Sequence, residues 1–284
     1  MNIPLSPHFD PSSSFCYIHQ SVVDMREDDT HKSKVVSQAI FSEKIQIKEQ
    51  REKWSLISTP DGYLGWIPSD SFILRHEPYD PDLYVSRLAA HLYELKDVEY
   101  GPIQTLPYAS CLKTIDSSDP RWIKLLLPND KECYIQKGDV DPVIKHQNKP
   151  DIIKLSINFL GLPYTWGGRS SFGYDCSGFV QMLYQQMGIL LQRDATQQAS
   201  DERFKTICFN SLKKGDLLFF GHSEKEIKHV GMSLNKHSFI HATSKENQPW
   251  IRISPLSDFE WSGQSNASYP FRKARRQIDL LKPK

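Results

Sequence analysis

The sequence predicts an α+β protein in which two small β-barrels precede a domain of helices packed on an antiparallel sheet. Three observations carry this. From about Phe15 to His146, short runs rich in Val, Ile, Tyr and Trp are broken by Asp-Gly, Pro and charged clusters, the pattern of short strands and tight turns. Between Asp141-Pro142 and Lys149-Pro150 the chain turns polar and loses apolar periodicity. Beyond that boundary, Phe179, Val180, Leu183, Tyr184 and Met187 share one face of an α-helix, and runs at 229–234 and 238–243 alternate as a strand and its antiparallel return. With 284 residues, 39% of them hydrophobic, the chain has material for two or three domains with real cores.

The first barrel is expected from strands at Val35–Phe41, Lys44–Lys48, Trp54–Ser58 and Tyr63–Pro68, the last two joined by the turn Thr59-Pro60-Asp61-Gly62. A second set follows at Val85–Leu92, Ala109–Lys113, Trp122–Leu127 and Glu132–Ile135, with Pro128-Asn129-Asp130 as the equivalent turn. In both sets a Trp-led strand, a turn and an aromatic strand recur, which makes the pair a diverged repeat. The expected domains are therefore 1–78, 79–148 and 149–284.

In the last domain Asp151 is expected to cap a helix that Gly161 stops, since Leu162-Pro163 forbids its continuation. A loop, Tyr164-Thr165-Trp166-Gly167-Gly168, then leads to the helix capped by Asp175 and ended by Gly188. Cys176 falls in its first turn, where unpaired backbone N–H groups and the positive end of the helix dipole favour a thiolate. A buried structural cysteine is the competing interpretation, because Cys176 lies on the side of Phe179 and Val180.

A base would decide the matter, and His229 and His241 are the candidates. If Ser233 pairs with His237 across the loop Leu234-Asn235-Lys236, His229 falls opposite His241. A loop of even length would send the two histidines to opposite faces of the sheet. A thiol at a helix N-terminus with two histidines on one strand pair is suited to acyl transfer, one imidazole taking the proton and the other orienting it.

Composition excludes several classes. The net charge of +1 gives no global basic field, so no nucleic-acid partner is expected. Residues 1–148 hold 16 basic and 22 acidic side chains, and 149–284 hold 19 and 12. Acidic substrates would suit the second half, although Arg272, Lys273, Arg275 and Arg276 cluster near the end, where a solvated tail accounts for them. Trp261–Lys284 carries Tyr269, Phe271, Ile278, Leu280 and Leu281, enough apolar side chains to expect at least partial docking. Five cysteines without a Cys-x-x-Cys pair argue against a disulfide framework. The N-terminus lacks the basic and apolar stretches of a signal peptide, and no window is apolar enough to span a membrane, so a cytoplasmic address is expected.

Five blocks together resemble the NlpC/p60 cysteine peptidases: Tyr164-Thr165-Trp166-Gly167-Gly168, Asp175-Cys176-Ser177-Gly178-Phe179, Lys214-Gly215-Asp216-Leu217-Leu218-Phe219-Phe220, His229-Val230-Gly231-Met232 and His241-Ala242. The match covers about 150–250, and the two barrels resemble the bacterial SH3-like modules that often precede this catalytic domain. The resemblance implies a papain-like α+β fold with Cys176 as nucleophile, His229 as base and then acid, and His241 as the orienting member. It implies that Tyr164 and the Cys176 N–H stabilise the oxyanion and that Asp175 and Ser177 contact substrate; as a helix cap, Asp175 has a sufficient structural role as well. Ala195 departs from the hydroxyl residue that many relatives carry there.

Family members cleave amide bonds of peptidoglycan stem peptides, typically between D-glutamate, through its γ-carboxyl, and a diamino acid such as meso-diaminopimelate. Those with SH3-like domains often require a free N-terminal L-alanine, and Glu27 and Tyr63 of the first barrel are candidates to bind its ammonium. The resemblance therefore implies a monomeric enzyme that needs no cofactor and recycles released muropeptides. Three rivals stand beside it: a hydrolase remodelling intact wall, a non-catalytic binder of wall fragments, and a zinc site built from Cys176, His229 and His241. No metal is expected, because the sequence lacks a His-Glu-x-x-His segment or any local ligand pair.

Overall fold

In the computed structural model the described part of the N-terminal half is built of short antiparallel strands, with one 3-10 turn at Lys137–Asp139. Residues 15–143, 146–244, 248–258, 261 and 269–278 are described. β1 (Phe15–Ile18), β2 (Val22–Arg26), β3 (Val35–Ile40), β4 (Lys44–Arg51), β5 (Trp54–Ser58), β6 (Leu64–Pro68) and β7 (Phe72–Arg75) form one sheet in the order β3-β2-β6-β5-β4-β1-β7. Next come β8 (Leu83–Val85), β9 (Ala89–Tyr93), β10 (Gln104–Pro107), β11 (Cys111–Asp116), β12 (Trp122–Leu126), β13 (Glu132–Gln136) and β14 (Val140–Pro142). Their order, β10-β9-β13-β12-β11-β8-β14, is the first order with every label advanced by seven, so the repeat expected from the sequence is present as a repeated topology.

The turns hold as expected. Gly62 adopts φ +81° after Asp61, whose carboxylate accepts from Tyr63 N at 3.2 Å, and Asp130 takes the matching left-handed position at φ +61°. The run Val85–Leu92 is not one strand. Val85 pairs with β14 while Ala89 onward pairs with β10, so the chain crosses between partners at Ser86-Arg87-Leu88. No Gly or Pro marks that crossing, although the inward face shifts across it from Val85 to Ala90 and Leu92.

The core of the first barrel gathers Ile18, Met25, Ile57 and Ile67, and that of the second Leu92, Leu106, Leu125 and Ile135. Phe41, from the loop after β3, joins the second core. Tyr79 ties the two barrels: its N–H donates to Tyr17 Oη at 3.0 Å, and its hydroxyl donates to the Leu126 carbonyl at 2.9 Å.

The chain divides into two compact units, Met1–Val143 and Ile144–Lys284. The second opens with α1 (Lys149–Ile157), whose cap is Asn148 and not Asp151. The Asn148 side chain accepts from Asp151 N at 3.1 Å, and Pro150 occupies the first turn, where a missing N–H costs nothing. A small hairpin of β15 (Arg169–Ser170) and β16 (Gly173–Tyr174) leads into α2 (Cys176–Gln185), followed by α3 (Ala195–Gln198).

The main sheet comprises β17 (Phe204–Ile207), β18 (Leu217–Gly221), β19 (Ile227–Ser233), β20 (Ser238–Ala242), β21 (Ile251–Pro255) and β22 (Phe271–Gln277), in the order β17-β22-β18-β19-β20-β21. All neighbours are antiparallel, and α2 packs against β19 and β20. The tail therefore docks as an internal strand, while Leu280 and Leu281 lie outside the described residues. Its basic run is structural and not a solvated tail: Arg276 pairs with buried Asp216 at 2.7 Å, and Arg275 donates to the carbonyls of Ala199, Asp201 and Phe204. Those guanidinium groups are spent inside the fold, which removes the argument that this run attracts acidic substrates.

Candidate active site

Cys176 is the first residue of α2, as the sequence led us to expect, and it is buried. Asp175 caps the helix by accepting from Gly178 N at 2.7 Å. The same carboxylate is held by Arg193, a fully buried guanidinium that reaches Asp175 at 3.0 and 2.5 Å and Ser177 Oγ at 2.9 Å. Both residues flanking Cys176 are thus locked into one charge-assisted network. Gln198 of α3 extends it, donating to the Ser177 carbonyl at 3.1 Å.

The glycines of the motif have a steric role here. A Cβ on Gly178 would lie 2.2 Å from the Gly168 carbonyl oxygen, so the Tyr-x-Trp-Gly-Gly loop can pack on the first turn of α2 only without one. The same loop carries Tyr164, whose hydroxyl lies close enough to Cys176 to feel its charge. The Tyr164 backbone bridges to Tyr174, two residues before Cys176. Burial and the neighbouring Cys176 raise the Tyr164 hydroxyl well above its ordinary range, and it bonds Ser244.

His229 and His241 lie on one face of the sheet with Nε2 of His229 and Nδ1 of His241 2.8 Å apart. The register differs from the expected one. Met232 pairs with Ile240 and Ser233 with Phe239, because the turn is Asn235-Lys236-His237, closed by Asn235 Oδ1 accepting from the N–H groups of His237 and Ser238. A slip of two residues preserves the face, so the histidines meet diagonally. Gly231 makes room for this: a Cβ there would stand 3.0 Å from the His241 Cβ and 2.6 Å from the Phe239 ring.

Three participants were not evident from the sequence. Arg193 and Ser254 carry no local pattern; His241 Nε2 lies 2.9 Å from Ser254 Oγ, both side chains being fully buried. Trp261 stacks on His229, with centroids 5.0 Å apart and planes 23° apart, and stands edge-on to His241. Its only sequence signal was being one of the few apolar side chains in the tail.

Burial pushes the Cys176 thiol up to about 12, aided by the Asp175 carboxylate and opposed by the backbone N–H groups of Val230 and Ser177 and by Arg193. Burial, with Arg252 nearby, pulls the His229 imidazole down to about 3. Both shifts favour the neutral forms, thiol and imidazole. A depressed thiol pKa, expected from the helix N-terminus, is corrected: desolvation of a buried thiolate outweighs the dipole. With Nε2 of His229 turned to His241, Nδ1 is the ring nitrogen left outside that hydrogen bond.

Ser177 is buried, and its hydroxyl donates to Asp175 Oδ1 at 3.2 Å. Glu27 is exposed and directly follows β2, while Tyr63 directly precedes β6 and packs on the first barrel's core. Arg26 pairs with Trp66, so Glu27 and Tyr63 sit at the same end of that strand pair. Among the described residues no three His, Cys, Asp or Glu side chains are arranged to hold a metal ion.

A buried thiol at a helix N-terminus, packed on a sheet that presents a hydrogen-bonded histidine pair, defines the class of papain-like cysteine peptidases. Residues 161–267 match the NlpC/P60 family, and residues 25–72 match the bacterial dipeptidyl-peptidase SH3 domain. A Bacillus subtilis protein named gamma-D-glutamyl-L-lysine dipeptidyl-peptidase is 30% identical, the match covering 73% of this chain and 72% of the relative. A Bacillus cereus protein of the same name is 29% identical, covering 80% of this chain and 72% of its own. The chain belongs to the NlpC/P60 family of cysteine peptidases. A crystal structure of an NlpC/P60 family protein from Bacillus cereus shares the fold at a TM-score of 0.77, over 94% of this chain and all of that one, at 23% identity. No helix among the described residues is long and apolar enough to cross a membrane.

Proposed function

We propose that this peptidase cuts the amide bond between the γ-carboxyl of D-glutamate and the diamino acid of peptidoglycan stem peptides. The observation that supports it most is that likeness to the gamma-D-glutamyl-L-lysine dipeptidyl-peptidases runs through the barrels as well as the catalytic unit. In this reading Cys176 Sγ attacks the γ-carbonyl as His229 Nδ1 takes its proton, and the oxyanion is held by the Cys176 N–H and the Tyr164 hydroxyl. His229 returns the proton to the leaving amine; a water activated by the same nitrogen then hydrolyses the thioester. His241 orients His229, and Asp175 and Ser177 shape the substrate side of the nucleophile.

Removing a dipeptide requires a free N-terminus, and Glu27 and Tyr63 are our candidates for binding the ammonium of L-alanine. That requirement favours released muropeptides over intact wall, in which the stem L-alanine is acylated, and with them a recycling role inside the cell. One chain carries all three members of the triad, so a monomer suffices. The diamino acid is meso-diaminopimelate in this reading; lysine, named for the relatives, differs only at its far end. The test compares kcat/KM for L-Ala-γ-D-Glu tripeptides ending in either diamino acid, each free and N-acetylated. A sharp loss on acetylation is expected. Equal rates would remove the free-terminus requirement and return the wall-remodelling hydrolase as the better account.

A further inference from the structure

We propose that Ser254, hydrogen-bonded to His241 beneath the active site, is a positioning residue that fixes the tautomer of both active-site histidines. The proposal rests on the reading of His229 as the base. His229, His241 and Ser254 come from β19, β20 and β21, three neighbouring strands, and share one face of the sheet. Each step across is diagonal: His241 pairs with Arg252, and Ser254 lies two residues beyond, paired with Phe239. The result is a continuous chain, His229 Nε2 to His241 Nδ1 at 2.8 Å and His241 Nε2 to Ser254 Oγ at 2.9 Å.

The direction of the protons follows from the chemistry. His229 accepts the thiol proton at Nδ1 only if its own proton sits on Nε2, which then donates to His241 Nδ1. A neutral His241 accepting at Nδ1 carries its proton on Nε2, and that proton needs an acceptor, because His241 is fully buried. Ser254 Oγ, a hydroxyl that can accept or donate, is assigned as that acceptor. If His241 instead carried its proton on Nδ1, it would face the Nε2 proton of His229, and the conflict would drive His229 to the tautomer whose Nδ1 cannot take a proton. By accepting, one hydroxyl two strands from His229 thus favours the tautomer in which the base works.

The test is 15N spectroscopy of histidine-labelled protein, with His229 and His241 assigned through His241→Gln, alongside steady-state kinetics. The wild type is expected to show both rings protonated at Nε2. In Ser254→Ala one of the rings is expected to gain a substantial fraction protonated at Nδ1, with kcat falling roughly 10-fold and KM nearly unchanged. Ser254→Thr, which keeps the hydroxyl, is expected to restore both readouts. Should Ser254→Ala not fold, Ser254→Cys gives the same comparison at nearly equal volume with a much weaker acceptor. A folded Ser254→Ala or Ser254→Cys with wild-type tautomers and kcat would overturn the proposal. The spectra need no substrate, so the two failures differ: an Nδ1-protonated His229 in the wild type would sink the base assignment itself.

Discussion

Gly231 stands across the strand pair from His241, and its missing side chain is what lets that imidazole lie against the sheet and reach His229. The His-Val-Gly-Met segment therefore supplies both one imidazole and the space for its partner. It also explains why a two-residue difference in register leaves the pair intact: the histidines need to share a face, and Gly231 accommodates the diagonal approach between them.

The two imidazoles should be unequal under substitution. His229→Ala removes the proton acceptor and is expected to lower kcat by roughly 1,000-fold or more, whereas His241→Ala leaves a measurable remainder. A His241→Asn variant, able to accept from Nε2 of His229, should recover part of the loss. Steady-state kinetics on the tripeptide checks all three; equal losses at both positions would contradict the assignment of base and orienter.

The thiols should react in an order opposite to the one the helix dipole alone would give. Cys176 is buried and pushed up to about 12, and burial also raises Cys16, Cys111 and Cys133, while Cys208 is exposed. In the free enzyme at neutral pH, iodoacetamide should modify Cys208 first, and Cys176 alkylation should accelerate as pH climbs past 9. Peptide mapping of partially alkylated protein reads this directly. Preferential modification of Cys176 near pH 6 would show an ion pair already formed at rest.

Acid should destabilise the catalytic unit through His229. Its folded-state pKa, near 3, lies below the ordinary 6.5, so the contribution from keeping it neutral is fully present above about 6.5 and is lost as pH falls toward 3. Between pH 7.5 and 4.5 this amounts to about 3 kcal/mol. Urea unfolding of wild type and His229→Gln at the two pH values should show a smaller acid penalty in the variant. Equal penalties would contradict a buried neutral imidazole.

Much of this was legible in the sequence, and the parts that were not share a cause. The turn at Asp61-Gly62, the cap at Asp175, the thiol in the first turn and the two facing histidines all follow from local patterns of residue type and spacing. Arg193, Ser254 and Trp261 do not, because each acquires its role only when distant segments fold together: Arg193 lies 18 residues from Asp175 along the chain, and Ser254 lies 13 from His241. The direction of the thiol's shift was missed for a similar reason. The helix dipole is visible in a single segment, whereas the burial that opposes it comes from the β19 and β20 surface. Strand register escaped because Asn235 can close a turn of either placement, and nothing in the alternation of side chains separates registers two residues apart.

The most direct test of the account is mass spectrometry of L-Ala-γ-D-Glu-meso-diaminopimelate and its lysine counterpart incubated with the wild type and, separately, with Cys176→Ala. The account expects L-Ala-D-Glu and the free diamino acid from the wild type, and intact substrate from the variant. Release of the same products by Cys176→Ala would contradict the thiol mechanism, and intact substrate in every tube would contradict the proposed bond.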